Sequence, residues 1–359
     1  ALLWSLGMAA VFVVFHLELF IREGLMLPLA SILLTILLTY VLHTSFGFFV
    51  ERRTKRQLVE LFGHYVPTEL VARMATHPEQ YTTQAVSREL TVMFCDLQQF
   101  TSLSESMDPE SLQALLNDIF NRMADVIGPN HGTIDKYMGD CVMVFWGAPV
   151  ADEAHAWHAV KTAIELRAMM HGYNQERRAA GLPAIGASIG INTGLMSVGD
   201  MGSEMRRSYT VIGDAVNLAA RLEPLARTYG VPMVVGEQTV QQVAQCHWQW
   251  LDRIRVSGKA QAVNIYVPFT DGSELDAGQQ QELGLWHQFR QDYLAQDWKR
   301  CDALLVRLQA LAPRRVLYRL YRERIDDFLA RPPAADWDGV TVQTLKKSAD
   351  VIYLTEDAG

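Results

Sequence analysis

The chain has 359 residues, 49% of them hydrophobic and 20% charged, with a formal net charge of −8. That balance suits one large folded domain with accessories and excludes a general nucleic-acid binder, which would carry a basic face. The four cysteines are far apart and lack metal-ligand spacing, so they read as reduced, packed side chains.

The first elements are apolar. Residues 2–21 are almost continuously hydrophobic, and residues 25–50 contain no Asp, Glu, Lys or Arg. A helix needs roughly 20 such residues to cross a bilayer, so 1–50 reads as two transmembrane helices in a hairpin. Glu18 fits near the end of its span, within reach of the interface. The basic run ERRTKR from Glu51 puts this end in the cytoplasm, which predicts a multi-pass protein of the inner (cytoplasmic) membrane with the bilayer as a partner. The chain starts on Ala without a basic leader, which reads as a fragment rather than a cleaved signal peptide. Residues 51–84 follow as a coupling region, helical from Glu51 to about Ala75, with Pro67 between two pieces and Thr68 able to start the second. A signal relay and a passive spacer fit it equally.

Residues 85–270 alternate strand-like and helix-like runs. Strands are expected at 89–96, 132–138, 141–146, 184–192, 205–212, 232–235, 248–256 and 263–267, and helices at 109–127, 151–174, 214–229 and 237–245. Asp108 before Pro109 is a helix-start signal. Gly139–Asp140 turns a hairpin over 132–146. An α/β sandwich of the α+β class follows. Residues 271–359 read as an appendage: one antiparallel helix pair over 276–331, then an irregular tryptophan-anchored strap, RPPAADWDGVTVQTLKK.

Chemistry enters where the buried run VMFCD ends on a carboxylate, Asp96, and where Asp140 closes DKYMGD. Neighbouring strands would bring both acids to one rim, where they repel unless cations lie between them. Mg²⁺ is held by one or two carboxylates plus substrate phosphates, and two such ions can activate an attacking oxygen and stabilise a leaving one. Two aspartates at turns are common, so this spacing alone leaves metal binding open. In SYTVIGDAVNLAARLE, Asn217 and Arg221 are four apart on one helical face, close to a helix start that favours anions. Arg221 is a fixed cation suited to charge developing on a phosphoryl group. Spacing equally allows a cap or interhelical role for Asn217 and a surface ion pair with Glu223 or Asp214 for Arg221.

In this order and spacing, VMFCDLQQFT, IDKYMGDCVMVFWGAP, GINTGLMSVGDMGSEMRRSYTVIGDAVNLAARLE and VSGKAQAVNIYV resemble a class III nucleotidyl cyclase over essentially all of 85–270. LVELFGHYVPTELVARM resembles the lead-in helix of bacterial membrane-bound members, and the apolar spans resemble those after a CHASE-type sensor. The resemblance implies a ferredoxin-like (βαββαβ) catalytic domain that converts ATP to 3′,5′-cyclic AMP and pyrophosphate with two Mg²⁺ or Mn²⁺ per site. It implies metal ligation by Asp96, Asp140 and the Leu97 carbonyl, and a phosphate-cradling loop at Phe100 and Thr101. Lys136 and Thr210 would read adenine, Asn217 would orient the ribose, and Arg221 would stabilise the transition state. It further implies a homodimer, with the aspartates from one subunit and Lys136, Thr210, Asn217 and Arg221 from the other. Lys136 disfavours guanylate cyclase, because a guanine reader wants an acceptor such as Glu. Two departures stand out: Gln99 replaces a glycine of the metal loop, and Ser257 replaces a phosphate-binding lysine. Lys259, on the same strand face if the strand continues, is a candidate substitute. These departures motivate the rival reading, a degenerate cyclase acting as a nucleotide-binding membrane scaffold.

Overall fold

The computed structural model describes residues 2–23, 33–43, 45, 85–203, 207–255, 261–270, 273–334 and 336–342. The chain divides into two compact units, Ala1–His64 with Val71–Gln80, and Tyr65–Leu70 with Tyr81–Gly359.

In the first unit, α1 (Leu2–Glu23) covers the first apolar run, and residues 33–43 are helical within the second. Val11, Phe15 and Ile21 on α1, with Leu34 and Leu38 beyond it, are exposed. Among the described residues no helix is long and apolar enough to cross a membrane. The fold therefore does not establish the expected transmembrane hairpin: the last turns of α1 carry Glu18, Arg22 and Glu23, and of the second apolar run only residues 33–43 and 45 are described. The link at 24–32 and the coupling region at 51–84 lie outside the described residues.

The second unit is built on β1 (Val86–Gln98), whose residues 90–95 are all buried. A strand covered on both faces reads as a continuous apolar run rather than an alternation, which is how LTVMFC reads. Next come α2 (Phe100–Ser106), α3 (Pro109–Ile127), β2 (Thr133–Met138), β3 (Cys141–Trp146), α4 (His155–Ala179) and β4 (Gly186–Gly202). Asp108 caps α3 by accepting from the Ser111 amide at 2.9 Å, with Pro109 at the first helical position. These elements form a βαββαβ unit with strand order β2-β3-β1-β4, antiparallel at each neighbour. This is the expected ferredoxin-like α+β core.

The chain continues through β5 (Arg207–Ile212), α5 (Asp214–Leu222), α6 (Leu225–Tyr229), β6 (Met233–Gly236), α7 (Glu237–Gln242), β7 (Trp248–Arg255) and β8 (Val263–Pro268). The single helix expected over 214–229 is two, because Pro224 interrupts the hydrogen-bond ladder. Helix α5 buries Val216, Leu218, Ala219 and Leu222. It packs so closely on β4 that a Cβ at Gly190 would lie 2.4 Å from the Glu223 amide nitrogen and 2.5 Å from the Ala219 carbonyl oxygen. Glycine is required there by contact, not by dihedral angle.

The C-terminal segment corrects the expectation of a helix pair. It holds α8 (Ala277–Leu294), α9 (Trp298–Leu311) and α10 (Val316–Ala330). Gln296 in a left-handed conformation and the Asp297 cap separate the first two, and Pro313 follows the second. The strap ends in β9 (Val340–Val342), which pairs parallel with β7 and becomes the ninth strand of the sheet. The segment is sealed to the catalytic sheet by buried bonds: Trp286 Nε1 donates to the Trp250 carbonyl at 2.7 Å, and Tyr321 Oη to that of Leu251 at 2.7 Å. Gly230, left-handed at φ 62°, ends α6 hard against Val316, where a Cβ would lie 2.4 Å away. All four cysteines are free, as expected.

Candidate active site

The register of β1 shows why the site lies at its end. Its ladder with β3 closes at Asp96↔Cys141, whereas its ladder with β4 runs on to Gln98↔Gly186. Beyond Asp96 the strand is paired on one side only. Asp140 precedes Cys141 in the β2–β3 turn, where Gly139 takes a left-handed φ of 67°. The two predicted acids therefore sit together on one rim. Burial and then the Asp140 charge raise the Asp96 pKa, while Arg227 pulls it down. Arg227 Nη2 donates to Asp96 Oδ2 at 3.0 Å and its Nε donates to Ser188 Oγ at 3.4 Å.

A third acid completes the cluster. Glu223, just after α5, has its carboxyl pushed up to about 8 by burial and by Asp96, and its Oε1 is buried without a partner. A raised acid favours folding while protonated: the contribution is full below its ordinary value of 4.5 and is lost as pH rises through about 8. The cation-free protein should therefore lose stability from pH 5 to pH 8, and Glu223→Gln should flatten that decline. Melting temperatures in chelator across this range check it; parallel profiles for the two proteins would contradict the assignment.

Gln99 has φ 65° and ψ 14° and immediately precedes α2. The position is left-handed, which explains why a glycine suits this loop. The Gln99 side chain is exposed. Gln99→Gly removes a left-handed cost of roughly 1–2 kcal/mol and adds about 0.5–1 kcal/mol of unfolded-chain entropy. A net stabilisation of about 0.5–1 kcal/mol should appear in urea denaturation. Phe100 and Thr101 form the first turn of α2, whose leading amides have no carbonyl four residues back within the helix. Phe100 packs partly into the core, and the Thr101 side chain lies outside the described residues. Leu97, the remaining residue of the expected metal site, is buried on β1.

A second group assembles on β2 and β5. Thr210 Oγ1 donates to Asp135 Oδ2 at 2.7 Å, and Lys136 Nζ lies 3.5 Å from the same oxygen. Asp135 and Thr210 are buried, while Lys136 is exposed. Asn217 and Arg221 project from the exposed face of α5. Among the described residues neither makes a side-chain hydrogen bond or ion pair within the chain, so the structural roles left open for them are not taken up. The structure thus brings Asp96 with Asp140, and Lys136 with Thr210, but no side-chain bond among the described residues joins the two groups. Lys259 and Ser257 lie outside the described residues.

Comparison with known proteins decides the family. The family described as "Adenylate and Guanylate cyclase catalytic domain" matches residues 83–268, just over half of the chain. The chain belongs to that family. The chain is 35% identical over 215 residues to adenylate cyclase 1 of Rhizobium meliloti, a match covering 59% of this chain and 32% of the relative. It is 33% identical over 221 residues to an adenylate cyclase of Anabaena cylindrica, covering 59% and 43%. The matches thus span less than half the length of these curated relatives. The crystal structure of the adenylyl cyclase CyaB from P. aeruginosa aligns at 34% identity and TM-score 0.49, covering 54% of this chain and 98% of that one.

The acid rim fits divalent cations by its donor set. Among the described residues no group of three or more His, Cys, Asp or Glu could hold a metal ion by itself. Two oxygen donors whose mutual repulsion raises a pKa are what a Mg²⁺ site completed by substrate phosphates offers. Sequence reasoning missed three members of the two groups. Glu223 and Arg227 are four apart within the helix expected over 214–229, a spacing that could have flagged them. Asp135 precedes Lys136, and strict strand alternation would send the two to opposite faces. The register shift between Ile134 and Lys136 breaks that alternation and brings both to one place.

Proposed function

We propose that this chain is the catalytic part of a membrane-anchored adenylate cyclase, converting ATP to 3′,5′-cyclic AMP and pyrophosphate at a homodimer interface. The observation carrying the reading is the pair Asp96 and Asp140 on one rim, together with a separate cluster of Lys136, Asp135 and Thr210 on β2 and β5 that fits an adenine reader. Asp96 and Asp140, with the Leu97 carbonyl, would hold two Mg²⁺ or Mn²⁺ ions. When bound, these would lower the pKa of the ribose 3′-hydroxyl and neutralise charge on the phosphates.

The chain's own residues do the rest. The leading amides of α2 at Phe100 and Thr101 face the terminal phosphates. Lys136 donates to adenine N1, and Thr210 meets the 6-amino group. Asn217 holds the ribose so that its 3′-oxygen lines up with the α-phosphorus. That oxygen gives up its proton to solvent and forms a new P–O bond, the bond to the bridging β-phosphate oxygen breaks, and pyrophosphate leaves with the electron pair. Arg221 stands against the charge that builds on the α-phosphoryl oxygens.

Two features support a shared site. Asn217 and Arg221 are exposed and make no side-chain bond among the described residues, and Tyr137, Met138, Leu195 and Ile212 are exposed apolar side chains on β2, β4 and β5. The uncharged run at 25–50, the basic run after Glu51 and the exposed apolar side chains of α1 support anchoring in the cytoplasmic membrane, with the catalytic unit on the cytoplasmic side. Release of the full chain from membranes by alkaline wash alone would contradict the anchoring. Incubation with ATP or GTP and Mn²⁺, followed by product chromatography, tests the chemistry. Cyclic AMP with little cyclic GMP is expected; a dimer that binds Mn²⁺ and ATP yet forms no cyclic product would support the scaffold reading.

A further inference from the structure

The hydrogen bond between Thr210 and Asp135 fixes more than a contact. A threonine hydroxyl carries one proton, and a carboxylate can only accept. With the Thr210 proton committed to Asp135 Oδ2 at 2.7 Å, the Thr210 oxygen has only lone pairs left to offer. Burial raises the Asp135 pKa, while the Thr210 hydrogen bond and Lys136, 3.5 Å from the same carboxylate oxygen, oppose that rise and favour its ionised form. The Asp135 side chain is fully buried, and its Oδ1 is buried with no partner, so this corner holds surplus acceptors and no spare hydroxyl proton. The bulge between Ile134 and Lys136 positions the acid here, on the strand that carries the exposed lysine.

We infer that Asp135 is a positioning residue for base selection: by taking the Thr210 proton it makes Thr210 an obligate acceptor, matched to a purine 6-amino group and opposed to a 6-oxo group. The inference rests on the reading that Thr210 meets the base and goes beyond it, because threonine alone can donate or accept and would not discriminate. At the 6-position the discrimination resides in the acid behind it, in addition to that of Lys136 at N1. A 6-oxo purine would set its oxygen against the Thr210 oxygen with no proton between them, an unpaired polar contact of the kind that sites built for hydrogen bonding reject strongly.

The test compares kcat/KM for ATP and inosine triphosphate, which replaces the 6-amino group by oxygen and protonates N1 without adding a 2-amino group; the N1 contribution at Lys136 is common to wild type and variant and cancels in their comparison. Asp135→Asn keeps the shape but lets the side-chain amide donate to Thr210, freeing the hydroxyl proton. The ATP preference should fall by about tenfold or more. In a Thr210→Val background the same change should leave the ratio where Thr210→Val alone puts it. A ratio that holds in Asp135→Asn while both nucleotides decline together would overturn the inference, as would an equal drop in the Thr210→Val background. Should Asp135→Asn fail to fold, competition binding to the wild-type dimer decides: 6-methoxypurine riboside triphosphate, which keeps N1 as an acceptor and presents only an acceptor oxygen at C6, should bind more weakly than purine riboside triphosphate, with hydrogen at C6, and equal or tighter binding would show that Thr210 still donates and would overturn the inference. A wild-type dimer that forms no cyclic product from either nucleotide counts against the proposed function; the binding comparison still tests Asp135.

Discussion

Asp140→Ala should lower kcat for cyclic AMP formation by at least about a thousandfold, some 4 kcal/mol of lost transition-state stabilisation. Asp140 lies in an exposed two-residue turn, where Gly139 rather than the acid supplies the left-handed backbone, so the fold should survive. Asp96→Ala should be equally inactive but for a compound reason. It removes an oxygen donor, and it leaves the Arg227 guanidinium without its 3.0 Å partner beside the buried Glu223 carboxyl. Binding of Mn²⁺ by calorimetry should weaken in both variants, while only Asp96→Ala should also shift the melting temperature. An Asp140→Ala protein that retains a tenth of the wild-type rate would remove the acid rim from the mechanism.

The second large effect concerns stability. Asp252 is fully buried on β7, and it is held by the C-terminal segment as much as by the catalytic sheet. Arg324 Nη1 on α10 donates to Asp252 Oδ2 at 2.7 Å, Tyr229 Oη on α6 donates to the same oxygen at 2.7 Å, and Thr341 Oγ1 on β9 donates to Oδ1 at 3.1 Å. Removing one partner of a buried pair leaves an uncompensated charge, so Arg324→Met should cost about 3–5 kcal/mol. Chemical denaturation measures it, and a loss under 1 kcal/mol would mean that the network is solvated. Tyr229 ends the short helix that carries Arg227 onto Asp96. Damage to this joint should therefore also alter Mn²⁺ affinity.

Local signals in the sequence carried the core of this fold well. A continuous apolar run ending on Asp96, a Gly–Asp turn and an Asp–Pro helix start are short-range patterns, and each maps onto the element expected from it. What escaped was set by contacts distant along the chain. Asp135 reaches Thr210 only because a bulge redirects it, and Arg227 reaches Asp96 across 131 residues of sequence. The break between the first two C-terminal helices was hidden for a local reason, since the turn at Gln296 is left-handed and no glycine marks it. The ninth strand was illegible because three residues of a strap become a strand only where β7 offers an open edge.

The most direct measurement mixes two inactive proteins. Chains carrying Asp140→Ala and chains carrying Arg221→Ala, each silent alone, are combined and allowed to exchange subunits before ATP and Mn²⁺ are added. If each centre takes its acids from one chain and its arginine from the neighbour, half the dimers are mixed and each has one intact centre, so about a quarter of wild-type activity returns. If mixed dimers form and the rate stays at the level of the separate variants, the acids and the arginine do not meet across an interface, and the account fails.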